Sequence, residues 1–471
     1  MNAFKAALVG AICTLPFFAT ETQAMPSFAR QTGMVCNSCH IGTDNVPNFT
    51  RTGRIFAMRG YTRPVIREKL RTEGQTSDDS PQYGGDYLAL NWNDFFAARL
   101  VSELAQGGKN TAGVKQDTTS APLARMALFY TGPITDWLGL WTEIGYLGNN
   151  TLNSVTTGNT GPTGLNLFAY DEYRLSTSRT IGENSFIGMS FGNEPGDVVS
   201  QFVFPGATGV ASFFSLGQGG VGKSMNIGTL SLHAFLDDRY WVQFAAQSGQ
   251  NNASWNNGWL QYYAFAYDMF RQTENDLWLS VEITRGNDAV SILTPQKASF
   301  ICPTTCPAGV VDSSLSFTNT LGGAAVVNAP IELVDKFQSY RLKAEHAVAD
   351  KGAHSWDAAF LLSGVREDFK SGGKTKRDVA GLYLRYYYLR TYGVEVNYQH
   401  NFNYSYTAAG TAERDVKTTD LYRMTLLWTP AMNFNTHLTY QPKTFNYVFK
   451  DQQNLYQDKG NAWSLGFEYS F

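Results

Sequence analysis

No stretch of this 471-residue chain approaches the ~20 consecutive apolar residues that a transmembrane helix needs. That excludes a helix-spanning membrane protein. Charge is scarce as well: Asp, Glu, Lys and Arg make up only 16% of the residues, and the net charge of −3 offers no footprint for nucleic acid. Cysteines number five, and no repeat of fixed period marks a propeller or solenoid. What the chain does have is aromatic residues, 31 Phe and 25 Tyr among them, together with 44 Gly. Many aromatics and glycines without an apolar run are the composition of an outer-membrane β-barrel.

The N-terminus reads as an export signal. Met1–Ala24 carries Lys5, an apolar stretch from Ala6 to Ala19 and a small-residue site ending in Thr22-Gln23-Ala24. Its apolar part is too short to span a bilayer, so cleavage is expected after Ala24, with Cys13 lost in the process. The chain then divides into a small segment, 25–81, and a barrel, 82–471.

The C-terminus carries the clearest strand. Trp463, Leu465, Phe467, Tyr469 and Phe471 alternate with Ser464, Gly466, Glu468 and Ser470. A period of two puts the aromatics toward lipid and the polar residues toward a lumen. Similar segments are predicted near 87–101, 124–132, 138–147, 165–177, 185–193, 225–235, 240–248, 258–270, 277–286, 337–349, 355–364, 378–390, 393–405, 418–428, 434–449 and 461–471. The fold class expected is therefore all-β, a 16-stranded antiparallel, porin-like outer-membrane barrel in which short periplasmic turns alternate with longer outer loops such as 287–336 and 365–377. On one side Arg341, Lys343, Glu345, Arg385 and Arg423 take the inward phase, while Tyr340, Leu342 and Ala344 face lipid. A polar and rather basic inner wall is the expectation there.

Cys36-Asn37-Ser38-Cys39-His40 carries the chemistry. C-x-x-C-H is the signature of covalent c-type haem: Cys36 and Cys39 bond one porphyrin edge, and His40 becomes the proximal iron ligand. A zinc site would need a second ligand pair at similar spacing, and a redox C-x-x-C would open a helix in a βαβ unit; neither context is present. Bacterial haem attachment happens outside the cytoplasm, which agrees with the export signal. Cys302 and Cys306 lie in the longest loop, outside the cell on this topology, and are expected to form a local disulfide.

The sixth iron ligand stays open among Met58, Met34, His233 and His437. Met58 is within reach in the same segment, but packing beside Phe56 explains it as well. His233 and His437 take lumen-facing phase near the periplasmic rim, His354 falls in a periplasmic turn, and His346 and His400 share the lipid phase. Arg51, Arg54, Arg59, Arg63, Arg67, Lys69 and Arg71 form a basic run opposed only by Glu68. It is either a solvated face, a counter-charge for haem propionates, or a docking surface for an acidic redox partner. Residues 25–81 are too few to enclose a haem alone, and a 16-stranded barrel leaves an open channel. Each solves the other's problem if the segment sits in or against the periplasmic mouth.

The stretches Pro26-Ser-Phe-Ala-Arg-Gln-Thr-Gly-Met-Val-Cys-Asn-Ser-Cys-His40, Phe49-Thr-Arg-Thr-Gly-Arg-Ile-Phe56 and Gly60-Tyr61-Thr62 resemble the fused cytochrome–porin iron oxidases of Fe(II)-oxidising bacteria. The resemblance implies one haem c on Cys36, Cys39 and His40, with electrons passing from extracellular Fe(II) to a periplasmic cytochrome or other small carrier. Beyond the N-terminal stretches, the barrel matches only in length, strand pattern and terminal aromatic. A function of a different class is a transport porin whose haem segment gates or senses, and electron uptake from another extracellular donor is also open.

Overall fold

In the computed structural model the described residues are 27–28, 38–41, 49–62, 95–106, 118–135, 137–147, 169–182, 184–192, 229–248, 259–272, 275–290, 333–351, 353–369, 372–407, 413–418, 420–431, 434–442, 447–449 and 462–470. The expected boundary at 81/82 lies outside them, as does the signal segment 1–24.

Strands run in chain order as β1 (Phe96–Gln106), β2 (Thr118–Pro133), β3 (Leu138–Leu147), β4 (Ala169–Ile181), β5 (Ser185–Gly192), β6 (Thr229–Leu236), β7 (Tyr240–Ser248), β8 (Trp259–Asp268) and β9 (Asn275–Val290). The second half is β10 (Leu333–Lys351), β11 (His354–Phe369), β12 (Lys374–Tyr388), β13 (Tyr392–Thr407), β14 (Arg414–Thr418), β15 (Leu421–Ala431), β16 (Phe434–Gln441), β17 (Tyr447–Phe449) and β18 (Ala462–Ser470). Every pairing is antiparallel between neighbours, and β1 pairs with both β2 and β18, so the sheet closes. Closure removes the unpaired strand edges that a lipid environment would penalise. The ring has sixteen strands, because β14 and β17 pair with each other beyond the ends of β15 and β16.

Alternation fixes which way each strand faces. On β15, Tyr422, Met424, Leu426 and Trp428 are exposed on the outside, while Arg423, Thr425, Leu427 and Thr429 are buried on the inside. On β10 Leu342 is 43% exposed and its neighbours Arg341 and Lys343 are buried. An outward Arg or Lys at mid-membrane would cost about 2–4 kcal/mol, so a one-residue slip of register is strongly disfavoured. An apolar outside on a polar inside, closed all round, defines an outer-membrane-type barrel.

The links 134–137, 182–184, 237–239, 269–274, 352–353, 389–391 and 432–433 are all short, and the strand ends they join gather at one end. In two of them consecutive residues are left-handed, Asp237 and Asp238 at φ 51° and 55°, Leu389 and Arg390 at 51° and 57°. That geometry matches the twist of the flanking strands. Two expectations need correction. The link 365–377 is short, since β11 runs on to Phe369 and β12 begins at Lys374. The polar residues there read as loop, yet Glu367 simply faces the lumen. The inner wall is also not basic: Glu282, Glu345, Asp357, Glu367 and Glu395 are buried beside Arg341, Lys343, Arg385 and Arg423. Charges in a barrel interior are tolerated by pairing, as Arg341–Glu282 at 3.2 Å shows.

Candidate functional site

The described residues 49–62 lie against the inner wall of the barrel, at its short-turn end. Their centre is α1 (Arg51–Met58), and its limits are written locally. Thr50 is the N-cap, its hydroxyl accepting from the Gly53 N–H at 3.3 Å. At the other end the Gly60 N–H donates to Ala57 O and the Tyr61 N–H to Phe56 O, the two bonds of a Schellman cap. Gly60 has φ 71°, and the Tyr61 and Phe56 rings meet at 5.5 Å, completing the cap's apolar contact. Glycine is required at 60 for a second reason: a Cβ there would collide with Ser176 of β4. A Cβ at Gly139 on β3 would likewise collide with the Gly60 carbonyl, so helix end and wall touch backbone to backbone.

Two arginines anchor α1. Arg51 donates to Asp268 at 2.5 Å and pairs with Asp238 at 2.8 Å. Arg54, wholly buried, donates to Glu345 at 2.5 Å, lies 3.9 Å from Asp276 and stands 5.3 Å over the Trp278 ring. Burial works against the Arg54 charge, but the pull of Glu345, Asp276 and Asp357 outweighs it and raises the pKa. The wall is shaped for this guanidinium. Asp276 (β9), Ala347 (β10) and Asp357 (β11) are in register across neighbouring strands, and the alanine leaves room between the two carboxylates. Beyond the helix, Arg59 stands over the Phe186 ring at 4.7 Å, Tyr61 accepts from Arg174 at 3.0 Å, and Thr62 meets Ser178 at 3.1 Å. Phe28 and Tyr61 stack at 4.9 Å, and Tyr61 stacks on Trp141 at 5.2 Å.

These contacts correct the reading of the basic run. Arg51 and Arg54 belong neither to a solvated face nor to a partner surface, because barrel carboxylates already hold them. Arg63, Arg67, Lys69 and Arg71 lie outside the described residues.

The structure brings Cys39 and His40 onto α1. Thr50 N donates to Cys39 O at 2.9 Å, and His40 forms an antiparallel bridge with Phe49, their rings 4.9 Å apart. Cys36, Met34, Cys302 and Cys306 fall outside the described residues. Met58 is buried with Phe56, Tyr61, Phe186, Phe235, Trp241 and Trp278. It follows Arg51 and Arg54 at i+7 and i+4, so it shares the face those arginines turn to the wall, whereas the Cys39 carbonyl lies against Gly53 on another face. His233 stacks on Trp241 at 4.9 Å, and its Nε2 lies where a Cβ on Gly188 would be. His437 lies over Gly466 in the same way. Both imidazoles are thus laid flat on the inner wall across a glycine. His354 is the first residue of β11 rather than a turn residue, bonded to the Tyr386 hydroxyl, and His400 contacts Asp420 at 2.6 Å on the exposed face.

A c-type haem needs a cysteine thiol followed by an imidazole, reachable from one apolar enclosure. Cys39 and His40 are consecutive and part-exposed, with Phe49 beside the ring, and Phe28, Phe56 and Tyr61 of the same segment cluster against Trp141 of β3. Among the described residues, Cys39 and His40 fit the group; Cys36 lies outside them. What sequence reasoning missed is the set Thr50, Gly53, Tyr61 and Arg174; Thr50 three residues before a glycine was the one local sign.

No protein-family model matches the chain, and no curated protein does. Among solved structures the chain is similar to the in-vitro folded outer membrane protein OmpT of Vibrio cholerae, at 12% identity over 80% of this chain and 96% of that one, with a TM-score of 0.45. OmpF of Salmonella typhi, in complex with daunomycin, is similar at 12% identity over 80% and 97%, with a TM-score of 0.45. The outer membrane channel DcaP of Acinetobacter baumannii gives 11% over 80% and 96%, with a TM-score of 0.44. These are likenesses of barrel architecture, and the functional reading rests on the chain's own residues.

Proposed function

We propose that this barrel carries single electrons across the outer membrane through one haem c held by Cys36 and Cys39 with His40 as axial ligand. In this reading extracellular Fe(II) gives up one electron and remains outside as Fe(III), and a small periplasmic carrier, such as a cytochrome, takes the electron. When bound, the haem supplies a one-electron couple. The chain's residues do the rest. Arg51 and Arg54 hold α1 against the wall, and α1 carries the Cys39–His40 backbone.

The observation that supports the reading is that Cys39 and His40 pack on a helix whose arginines are salt-bridged to the inner wall. A haem hung below the membrane could not bridge an apolar band ~25 Å tall. Held within the lumen, it has the outer loops on one side and the periplasmic mouth on the other. Fe(II) as donor comes from the resemblance of the N-terminal stretches to fused cytochrome–porin iron oxidases.

The second reading is a transport porin whose haem segment gates or senses, favoured by the closed sixteen-strand ring with its polar interior. Liposomes loaded with a reducible dye separate the two. External Fe(II) should reduce the dye without leakage of small solutes. Free solute diffusion with no haem reduction would favour the porin reading. Replacing Cys36 and Cys39 with Ala should abolish haem staining on a denaturing gel, and surviving stain would refute the attachment.

A further inference from the structure

We propose that Thr50 and Gly53 are positioning residues for the haem motif, fixing the Cys39–His40 backbone on the first turn of α1 and so setting how the His40 ring is presented. The inference rests on the haem reading above and names what aims its axial ligand.

Thr50 engages the motif on two successive carbonyls. Its hydroxyl donates to Ser38 O at 2.6 Å, and its N–H donates to Cys39 O at 2.9 Å. The same hydroxyl oxygen accepts from the Gly53 N–H at 3.3 Å. One oxygen therefore caps the helix and ties down the peptide just ahead of Cys39. The Thr50 N–H bond belongs to an antiparallel bridge between His40 and Phe49, and the Phe49 ring lies 4.9 Å from the imidazole at 39°.

Gly53 supplies the space. A Cβ there would collide with the Cys39 carbonyl and stand 2.8 Å from Phe49 Cδ1. The first of these neighbours is backbone and cannot rotate away. Alanine must therefore displace the very peptide that leads into His40.

The two residues flanking this contact, Arg51 and Arg54, are tied to Asp268 and Glu345. One helical turn thus ties the His40 backbone, which would present the iron ligand, to the barrel wall. Groups that orient a metal's ligands tune its affinity and potential.

The test uses the full-length protein in three variants. Thr50→Val keeps the shape and removes both hydroxyl bonds, Thr50→Ser keeps the hydroxyl, and Gly53→Ala adds the colliding carbon. Haem stain, visible spectrum and midpoint potential are measured, with heat-modifiable gel migration reporting barrel folding. T50V and G53A should keep the stain and the folded migration while their spectra change and their potentials shift. T50S should match the unaltered protein. Spectra and potentials unchanged in both T50V and G53A overturn the proposal. A T50S shift as large as that of T50V overturns it too, since the hydroxyl would then not be what positions the motif. If the unaltered protein takes no haem stain, the haem reading itself fails, and that outcome is read before any variant is compared.

Discussion

The Arg54 guanidinium sits among the carboxylates of Glu345, Asp276 and Asp357, buried with them from bulk solvent. Removing one partner of a buried pair costs about 3–5 kcal/mol, because the remaining charges are left uncompensated. Arg54→Leu should therefore lower the thermal stability of the plugged barrel markedly. The double variant Arg54→Leu, Glu345→Leu should recover part of the loss, because an apolar pair can replace a buried ionic one at little cost. Melting curves of the three proteins check this, and equal melting temperatures for single variant and parent would refute the anchoring role. At this scale the sequence was legible only where chemistry is contiguous. Cys36, Cys39 and His40 declare themselves by spacing. Arg51 and Arg54 find partners 217 and 291 positions away, and no local pattern reveals that. They therefore read as part of a basic run whose members do different things.

Strands were legible because a two-sided environment imposes a period of two. Sixteen predicted segments correspond to the sixteen strands of the closed ring, and the inward phase of Arg341, Lys343, Arg385 and Arg423 agrees with their burial. Ends were less legible, since polar residues above the membrane look like loop whether or not they pair. That is why β11 extends past its predicted end, why β14 falls almost wholly in the stretch 406–417 read as loop, and why β17 separates from the segment predicted at 434–449. The helix α1 was not read at all: eight residues with a Thr cap and a Gly stop give little periodicity to detect. A direct check on register is cysteine substitution on β10. Position 342 should react with lipid-restricted reagents and position 341 should not. The reverse pattern would mean a one-residue slip and would invert every face.

For the whole molecule, what matters is how α1 sits against the inner wall at the short-turn end. Asp238, Asp268, Asp276, Glu345 and Asp357 surround the two arginines of α1, so the wall there is built for a cationic occupant. Sequence reasoning reached the idea of a plug from two sizes, a segment too small and a barrel too open, but could not name the contacts. Planar-bilayer conductance tests the plug most directly, comparing intact protein with a form lacking residues 25–75. The shortened barrel should still insert, conduct ions several-fold better, and prefer cations, since its mouth carboxylates would have lost Arg51 and Arg54. Conductance and selectivity unchanged by the deletion would contradict a segment seated in the lumen, and with it the route proposed for the electron.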